Sequence, residues 1–357
     1  MSGLLWVDKY RPTSLNTCSF HEDINGRLQQ LSTADEFPHL LFYGPSGSGR
    51  KTRVLGLLKA IYGSAIDHVR LEERVFKHNT TKIQCSLLSS NHHIEINPSD
   101  HGTRDRIIVQ EVIKEVAQSR NVIKKGDEYG FKVVVIPNID LTTQLAQQAL
   151  RRTMETSVGS CRLILIAENV SSVIEPLRSR CVCIRVPAPS DEIIRQEMRS
   201  VMRKEGKHLT DEVINEIVTH SQRNLRTALI ALELTFFESN APERMVHSDW
   251  EEAIKRIALA MLQKQNVQVF SGLRALLYEL LVNCVPATII LQRMLRIFGE
   301  RVPDMPHDMY AQLVEAAAQF EHSAVHGSNG IFHLEAFCAK AMAILKKVAT
   351  LLGRSLL

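Results

Sequence analysis

Apolar residues in the first half of the chain fall into short continuous runs separated by helical patterns. This is the arrangement expected of buried strands alternating with amphipathic helices. "HLLFYG" (39–44) reads as a strand and "GRKTRVLGLLKAIYG" (49–63) as the helix that follows it. "KIQCSLL" (82–88) and "HHIEINPSD" (92–100) read as strands around a Ser/Asn turn. In "RDRIIVQEVIKEVAQ" (104–118), Ile107, Ile108, Val112, Ile113 and Val116 share one helical side. Then come the buried strand "FKVVVIPN" (131–138), the helix "TTQLAQQALRRTMET" (142–156) and the strand "CRLILIAEN" (161–169). The order predicts an α/β domain built on a parallel sheet with helices on both faces.

The pattern changes at "VPAPSDEIIRQEM" (186–198), where two prolines precede Ser190, a predicted N-cap with Asp191 and Glu192 in the first turn. Beyond it strand signals cease. Helical spacing recurs at Val269, Leu273, Leu276, Leu277 and Leu280, and again at Ile331, Leu334, Phe337, Ala341, Ile344 and Leu345. With "NAPERMVHSD" (240–249) read as a linker, the expected domains are 1–187 (α/β), 188–245 (a helical lid) and 246–357 (all-helical). A length of 357 residues suits two or three domains.

Charge and cysteine content change this picture little. Lys+Arg exceed Asp+Glu by 43 to 39, so attraction to nucleic acid must come from local patches rather than the field of the whole protein. Seven cysteines show no CxxC pair, which argues for reduced thiols in an intracellular compartment. Cys181 and Cys183 in "CVCIRV" read as buried thiols rather than metal ligands, and His92 and His93 as surface residues of a hairpin. No metal site is expected. Neither a signal-peptide core nor a run long enough to span a membrane is visible, so a soluble protein with no membrane partner is expected.

The stretch from Leu40 to Gly63 carries the chemistry. A strand enters a glycine-rich turn that opens a helix, the layout of the phosphate-binding GxxxxGK[ST] loop, in which backbone N–H groups and the helix N-terminus face phosphates. Counted from Gly44, however, the lysine slot holds Arg50 and the hydroxyl slot holds Lys51. A second register remains open here, in which Arg50 bulges out and Lys51 with Thr52 take the two roles. A P-loop enzyme also needs an acidic residue at the end of a neighbouring strand to hold magnesium, and a carboxylate to activate water. After Val133–Ile136 the chain offers Pro137 and Asn138. Hydrolysis should therefore fail before binding does, and magnesium is doubtful at this site.

Taken together, "WVDKYRP", "GPSGSGRKTR", "QQALRRTME", "PLRSRC" and "GSNGIFHLEAFCAKAMA" resemble the small subunits of replication factor C, the eukaryotic sliding-clamp loader of the AAA+ class. The likeness runs from Trp6 to about Leu345 and is nearest to the kind, numbered 3 or 5 depending on organism, whose ATPase motifs are degenerate. It implies a nuclear, ATP- or ADP-binding subunit of a heteropentamer, acting with four other subunits, a ring-shaped clamp and primer-template DNA in replication and repair. The C-terminal helices would form a collar. Val7 and Tyr10 would border the adenine, and Gly44, Pro45, Ser46, Gly47, Ser48, Gly49, Arg50, Lys51 and Thr52 would wrap the phosphates. Asn169 would be a polar sensor, Arg226 the lid arginine, and Arg180 a finger reaching a neighbour's ATP. In "NPSDHGTRDR", Ser99, Thr103, Arg104 and Arg106 are candidates for DNA phosphates, as loops here are in related clamp loaders; a solvated helix start is the equal alternative. Lys124 and Lys125 read as solvating a flexible loop. The rival functions are a self-sufficient, helicase-like ATPase and a scaffold that binds no nucleotide.

Overall fold

The computed structural model describes residues 3–33, 37–78, 81–118, 131–156, 161–238, 244–327 and 329–352. Lys124 and Lys125 lie outside the described residues. The chain forms two compact units, Met1–Met245 and Val246–Leu357.

In the first unit the elements run α1 (Trp6–Lys9), α2 (Glu22–Ser32), β1 (Leu40–Tyr43), α3 (Arg50–Tyr62), β2 (Arg70–His78), β3 (Thr81–Ser89), β4 (His93–Glu95) and α4 (Asp105–Gln118). There follow β5 (Lys132–Ile136), α5 (Gln144–Thr156), β6 (Cys161–Ala167), α6 (Glu175–Arg178), β7 (Val182–Arg185), α7 (Asp191–Glu205), α8 (Asp211–Ser221) and α9 (Leu225–Glu238). The sheet order is β2-β3-β4-β5-β6-β1-β7. From β4 to β7 every pairing is parallel, with Leu40 opposite Ile164 and Val182, and Val133 opposite Arg162. The β2–β3 and β3–β4 pairings are antiparallel additions at one edge.

Alternation along the central strands supplies two cores, one on each face of the sheet. Leu40, Phe42, Val133, Val135, Ile164 and Ile166 meet Leu28, Val54, Leu57 and Leu58 from α2 and α3. Leu41, Val134, Ile136, Leu163 and Leu165 meet Ile108, Val112, Leu150 and Met154 from α4 and α5. The central parallel strands bury both faces, which is why their sequences read as unbroken apolar runs.

Two local expectations are corrected. His93 is buried rather than on a surface: β4 is an interior strand between β3 and β5, and Ser90 Oγ meets His93 Nδ1 at 2.6 Å. Burial lowers the His93 pKa. Cys183 is exposed rather than buried, because β7 pairs on one side only, with β1.

α7, α8 and α9 make a small helical bundle. Ser190 Oγ accepts the N–H of Ile193 at 3.4 Å, the N-cap bond its position predicts. Trp6 of α1 packs into this bundle with Ile194, Met198, Ile217 and Phe236, and its backbone N–H donates to Glu233 at 2.9 Å. The N-terminal arm therefore belongs to the lid's core.

The second unit holds α10 (Asp249–Gln263), α11 (Val267–Val282), α12 (Ala287–Arg301), α13 (His307–His326) and α14 (Gly330–Leu352) around one core. The apolar side of α14, from Ile331 to Leu345, is covered by this unit's own helices. Among the described residues no helix is long and apolar enough to cross a membrane.

Candidate nucleotide site

The turn after β1 is shaped by three glycines at positive φ, of which two meet neighbours that forbid a side chain. A Cβ on Gly44 would stand 2.0 Å from the carbonyl oxygen of Val186, and one on Gly47 would stand 1.8 Å from Asn224 Oδ1 of the lid. Gly49 (φ 87°, ψ 24°) is the N-cap of α3, and helical geometry begins at Arg50 without an inserted residue. Arg50 thus occupies the lysine slot and Lys51 the hydroxyl slot, and the bulged register is not adopted.

Each basic residue has an acidic partner. Arg50 Nη2 meets Glu168 at 3.0 Å, while Nη1 donates to the Ala167 carbonyl at the end of β6. Lys51 Nζ is ion-paired with Glu95 of β4. Thr52 Oγ1 accepts the Nε–H of Arg11 at 3.2 Å. A cavity of about 420 Å³ opens over this turn, and its charged lining is Arg11, Arg50, Lys51 and Arg226 against Glu95 and Glu168. Cations outnumber carboxylates, as a polyphosphate ligand requires. Arg226, second residue of α9, makes no ion pair among the described residues.

Beside it lies a cavity of about 350 Å³, lined by Val7, Tyr10, Cys18, Gly47, Thr52, Leu225, Arg226 and Leu229. Val7 and Tyr10 are half-buried, and the Tyr10 hydroxyl donates to Glu205 at 2.6 Å. Gly47, Gly49, Thr52, Arg11 and Arg226 line both spaces, so an apolar chamber leads into a cationic one. Such a chamber suits a base and ribose, and the cationic space suits phosphates.

The remaining expected residues fall around this pair of cavities. Pro45 and Ser46 are exposed at the turn, whereas the Ser48 hydroxyl is buried and finds no hydrogen-bond partner. Asn169 lies in a neighbouring concavity with Tyr43, Gly44 and Ser46. It is Glu168 that lines the phosphate space. Arg180 sits in the turn between α6 and β7, where Nη1 donates to Pro176 O at 2.8 Å and Nη2 pairs with Glu155 at 2.5 Å. In the loop before α4, Ser99 Oγ donates to Asn97 Oδ1 at 2.9 Å, and Arg104 and Arg106 are exposed. The Thr103 side chain lies outside the described residues. Asp105 at the start of α4 is buried and accepts the Thr143 N–H at 2.6 Å, so a carboxylate already serves that helix start.

The residues do not fit a magnesium ion, which demands octahedral oxygen ligands. Pro137 offers no side-chain donor, and Asn138, at φ 51°, supplies no carboxylate. Glu95, the acid nearest Lys51, is already neutralised by it. Asp140, the one carboxylate after β5, instead accepts the backbone N–H groups of Glu168 and Asn169 at 3.0 and 3.2 Å. It thereby holds the end of β6 against the site.

Sequence reading missed Arg53. Its side chain is buried, and among the described residues it makes no ion pair. Nε donates to Asn25 Oδ1 (3.1 Å), Nη1 to the Ser48 carbonyl (3.1 Å) and Nη2 to the Phe20 carbonyl (2.9 Å), with the guanidinium 4.8 Å from the Phe20 ring centre. Arg53 therefore braces the glycine turn from behind. Arg53→Met is expected to cost about 2–4 kcal/mol of stability, since each buried carbonyl left without a donor costs roughly 1–3 kcal/mol. Arg53→Lys should recover little, because one ammonium cannot serve the fork of acceptors. An unchanged thermal midpoint in Arg53→Met would contradict the bracing role.

A P-loop α/β domain closed by a helical lid, with the cavity between them, defines the AAA+ class of protein. The model described as "RCF1/5-like, AAA+ ATPase lid domain" matches residues 196–236. "Replication factor C subunit 3, C-terminal domain" matches 250–349, and "DNA polymerase III, delta subunit" matches 20–190. Human replication factor C subunit 3 is 40% identical over 347 residues, 96% of each chain. Subunit 5 of Schizosaccharomyces pombe is 41% identical over 96% of each chain, and subunit 3 of Arabidopsis thaliana 42% over 96% of this chain and 98% of that one. A solved chain of the Thermotoga maritima RuvB branch migration motor is 14% identical with a TM-score of 0.46, over 75% of this chain and 85% of that one. The chain belongs to the replication factor C family, in the group of subunits numbered 3 or 5.

Proposed function

We propose that this chain is the nucleotide-binding, non-hydrolysing small subunit of a heteropentameric sliding-clamp loader, acting in the nucleus on primer-template DNA in replication and repair. One observation carries the nucleotide reading: a cationic cavity over the glycine turn, continuous with a less polar one at Val7 and Tyr10, while the positions of both catalytic carboxylates hold Pro137 and Asn138. The family relationship supports the rest. ATP or ADP is the ligand. Gly44 to Thr52 and Arg226 hold its phosphates, Val7 and Tyr10 border its base, and Asn169 stands as the sensor at the end of β6.

A self-sufficient motor is disfavoured because phosphoryl transfer by a P-loop enzyme uses a carboxylate to hold the metal and activate water, and the two carboxylates lining the cavity, Glu95 and Glu168, are both ion-paired. A scaffold that binds no nucleotide leaves unexplained why Arg226, without an ion pair among the described residues, stands at a cationic cavity. The assembled role places Arg180 at a neighbour's ATP and the helical unit in a collar with four other subunits. Ser99, Thr103, Arg104 and Arg106 face DNA phosphates in this reading, and the α/β domain contributes to holding a ring-shaped clamp open.

The assembly reading is tested by co-expressing the chain with four partner subunits of the same family and purifying through a tag on this chain. A stoichiometric five-membered complex that loads a ring-shaped clamp onto primed DNA is expected. Recovery of the tagged chain alone, from cells in which all five are soluble, would contradict it.

A further inference from the structure

We propose that nucleotide binding by this chain is independent of divalent metal, with the Lys51 ammonium standing where a P-loop site places its magnesium ion. The inference rests on the nucleotide-binding reading and deepens it.

Lys51 is the second residue of α3, the slot from which a P-loop hydroxyl ligates the metal. Its Nζ is held by Glu95, whose side chain is only 12% exposed. Glu95 lies opposite Val135 in the parallel β4–β5 pairing, so the ammonium is drawn to the ends of the same two strands where a metal-holding acid would stand. The cation is therefore covalent to the chain.

The carboxylates that line the cavity are both committed, Glu95 to Lys51 and Glu168 to Arg50. Asp140, outside the cavity lining, gives Oδ2 to two backbone N–H groups at the β6 end and keeps Oδ1 buried, Thr52 Oγ1 accepts from the Arg11 guanidinium, and the Ser48 hydroxyl is buried within the turn. A dication entering beside Lys51 would meet like charge and would find no uncommitted carboxylate in the cavity lining to repay the water it surrenders. A phosphate chain has no such difficulty. It meets Arg50, Lys51, Arg11 and Arg226, and the Lys51 ammonium has donors enough to keep Glu95 while donating to a phosphate oxygen.

The test uses the full chain and a fluorescent N-methylanthraniloyl ATP, titrated with excess magnesium and with excess EDTA. Wild type is expected to bind with affinities within about threefold of one another, where a metal-bridged phosphate would lose about tenfold or more. Lys51→Thr, which restores a hydroxyl and frees Glu95, is expected to bind weakly in EDTA and to regain affinity with magnesium; circular dichroism checks that it remains folded. Loss of wild-type binding in EDTA would overturn the metal-independent site while leaving the nucleotide reading intact. A folded Lys51→Thr that binds as wild type in both buffers would overturn the role of Lys51. Absence of wild-type binding in both buffers would overturn the nucleotide reading and this inference with it.

Discussion

Arg180→Ala is expected to lower ATP turnover at one neighbouring site of the assembled pentamer by roughly a thousand-fold, the usual contribution of a trans-acting arginine. This chain's own fold and nucleotide content should not change. The residue lies in a turn at the domain edge, with its side chain 32% exposed. One nitrogen is anchored on Pro176 O at 2.8 Å, which fixes the stem of the fork. The other nitrogen is held by Glu155, which is shared with Arg151. The Arg180 hydrogen bond holds the Glu155 carboxyl below its ordinary pKa, followed by that of Arg151. Glu155 is solvated, so this second contact is weak, and Arg151 remains to satisfy the carboxylate if Arg180 turns to a phosphoryl group. Arg180→Lys should rescue little, because a point charge does not reproduce the planar fork. Glu155→Ala should leave turnover at or above wild type. Steady-state hydrolysis and clamp loading equal to wild type in a pentamer carrying Arg180→Ala, measured with clamp and primed DNA, would remove the trans-acting role.

Phe337→Ala is expected to destabilise the helical unit by about 3–5 kcal/mol, the usual result of emptying a buried aromatic site. Phe337 is fully buried on α14, in a core with Ile257, Met261, Leu277, Met294 and Phe298. Domains of ordinary size have about 5–15 kcal/mol in total, so this change removes a large part of what holds the unit folded. Pentamer assembly should fall with it. Phe332→Ala on the same helix is the control: Phe332 is 60% exposed, and its loss should leave calorimetric unfolding of the full chain unchanged. Equal melting of Phe337→Ala and Phe332→Ala would contradict the core assignment. Truncation near Gly327 would delete all of α14 and is expected to unfold this unit outright.

Much of the fold was legible because central parallel strands must be apolar on both faces. The runs "LLFY", "VVVI" and "LILIA" could be little else. β2 was not legible: "RLEERVFKH" forms an edge strand in which charged residues interrupt the apolar ones, so no apolar run marks it. α2 was missed for a related reason, since "EDINGRLQQLS" buries only Asn25 and Leu28. Cys183 misled because an apolar run on an edge strand looks like one in the sheet's interior. The apolar stripe on α14 was visible, but its cover was not, because periodicity reports that a face is buried and not against what.

At the site, the glycine turn and the missing carboxylates could be read by position alone. The pairings could not. Lys51 with Glu95 joins residues 44 apart, and Arg50 with Glu168 joins residues 118 apart. Arg53 was hidden among three basic letters in "GRKTR", where charge suggests solvent. Its burial follows from carbonyls contributed by Phe20 and Ser48, which only the closed turn assembles.

The proposed role requires that this chain bind ATP and leave it intact. The direct measurement incubates the purified chain with γ-labelled ATP, separates bound from free nucleotide, and assays both after denaturation by mass spectrometry and for released phosphate. ATP is expected to be recovered intact from the protein in near-stoichiometric amount, with phosphate release at background. Sustained phosphate release that persists through further purification, or protein recovered without nucleotide at saturating ATP, would contradict it.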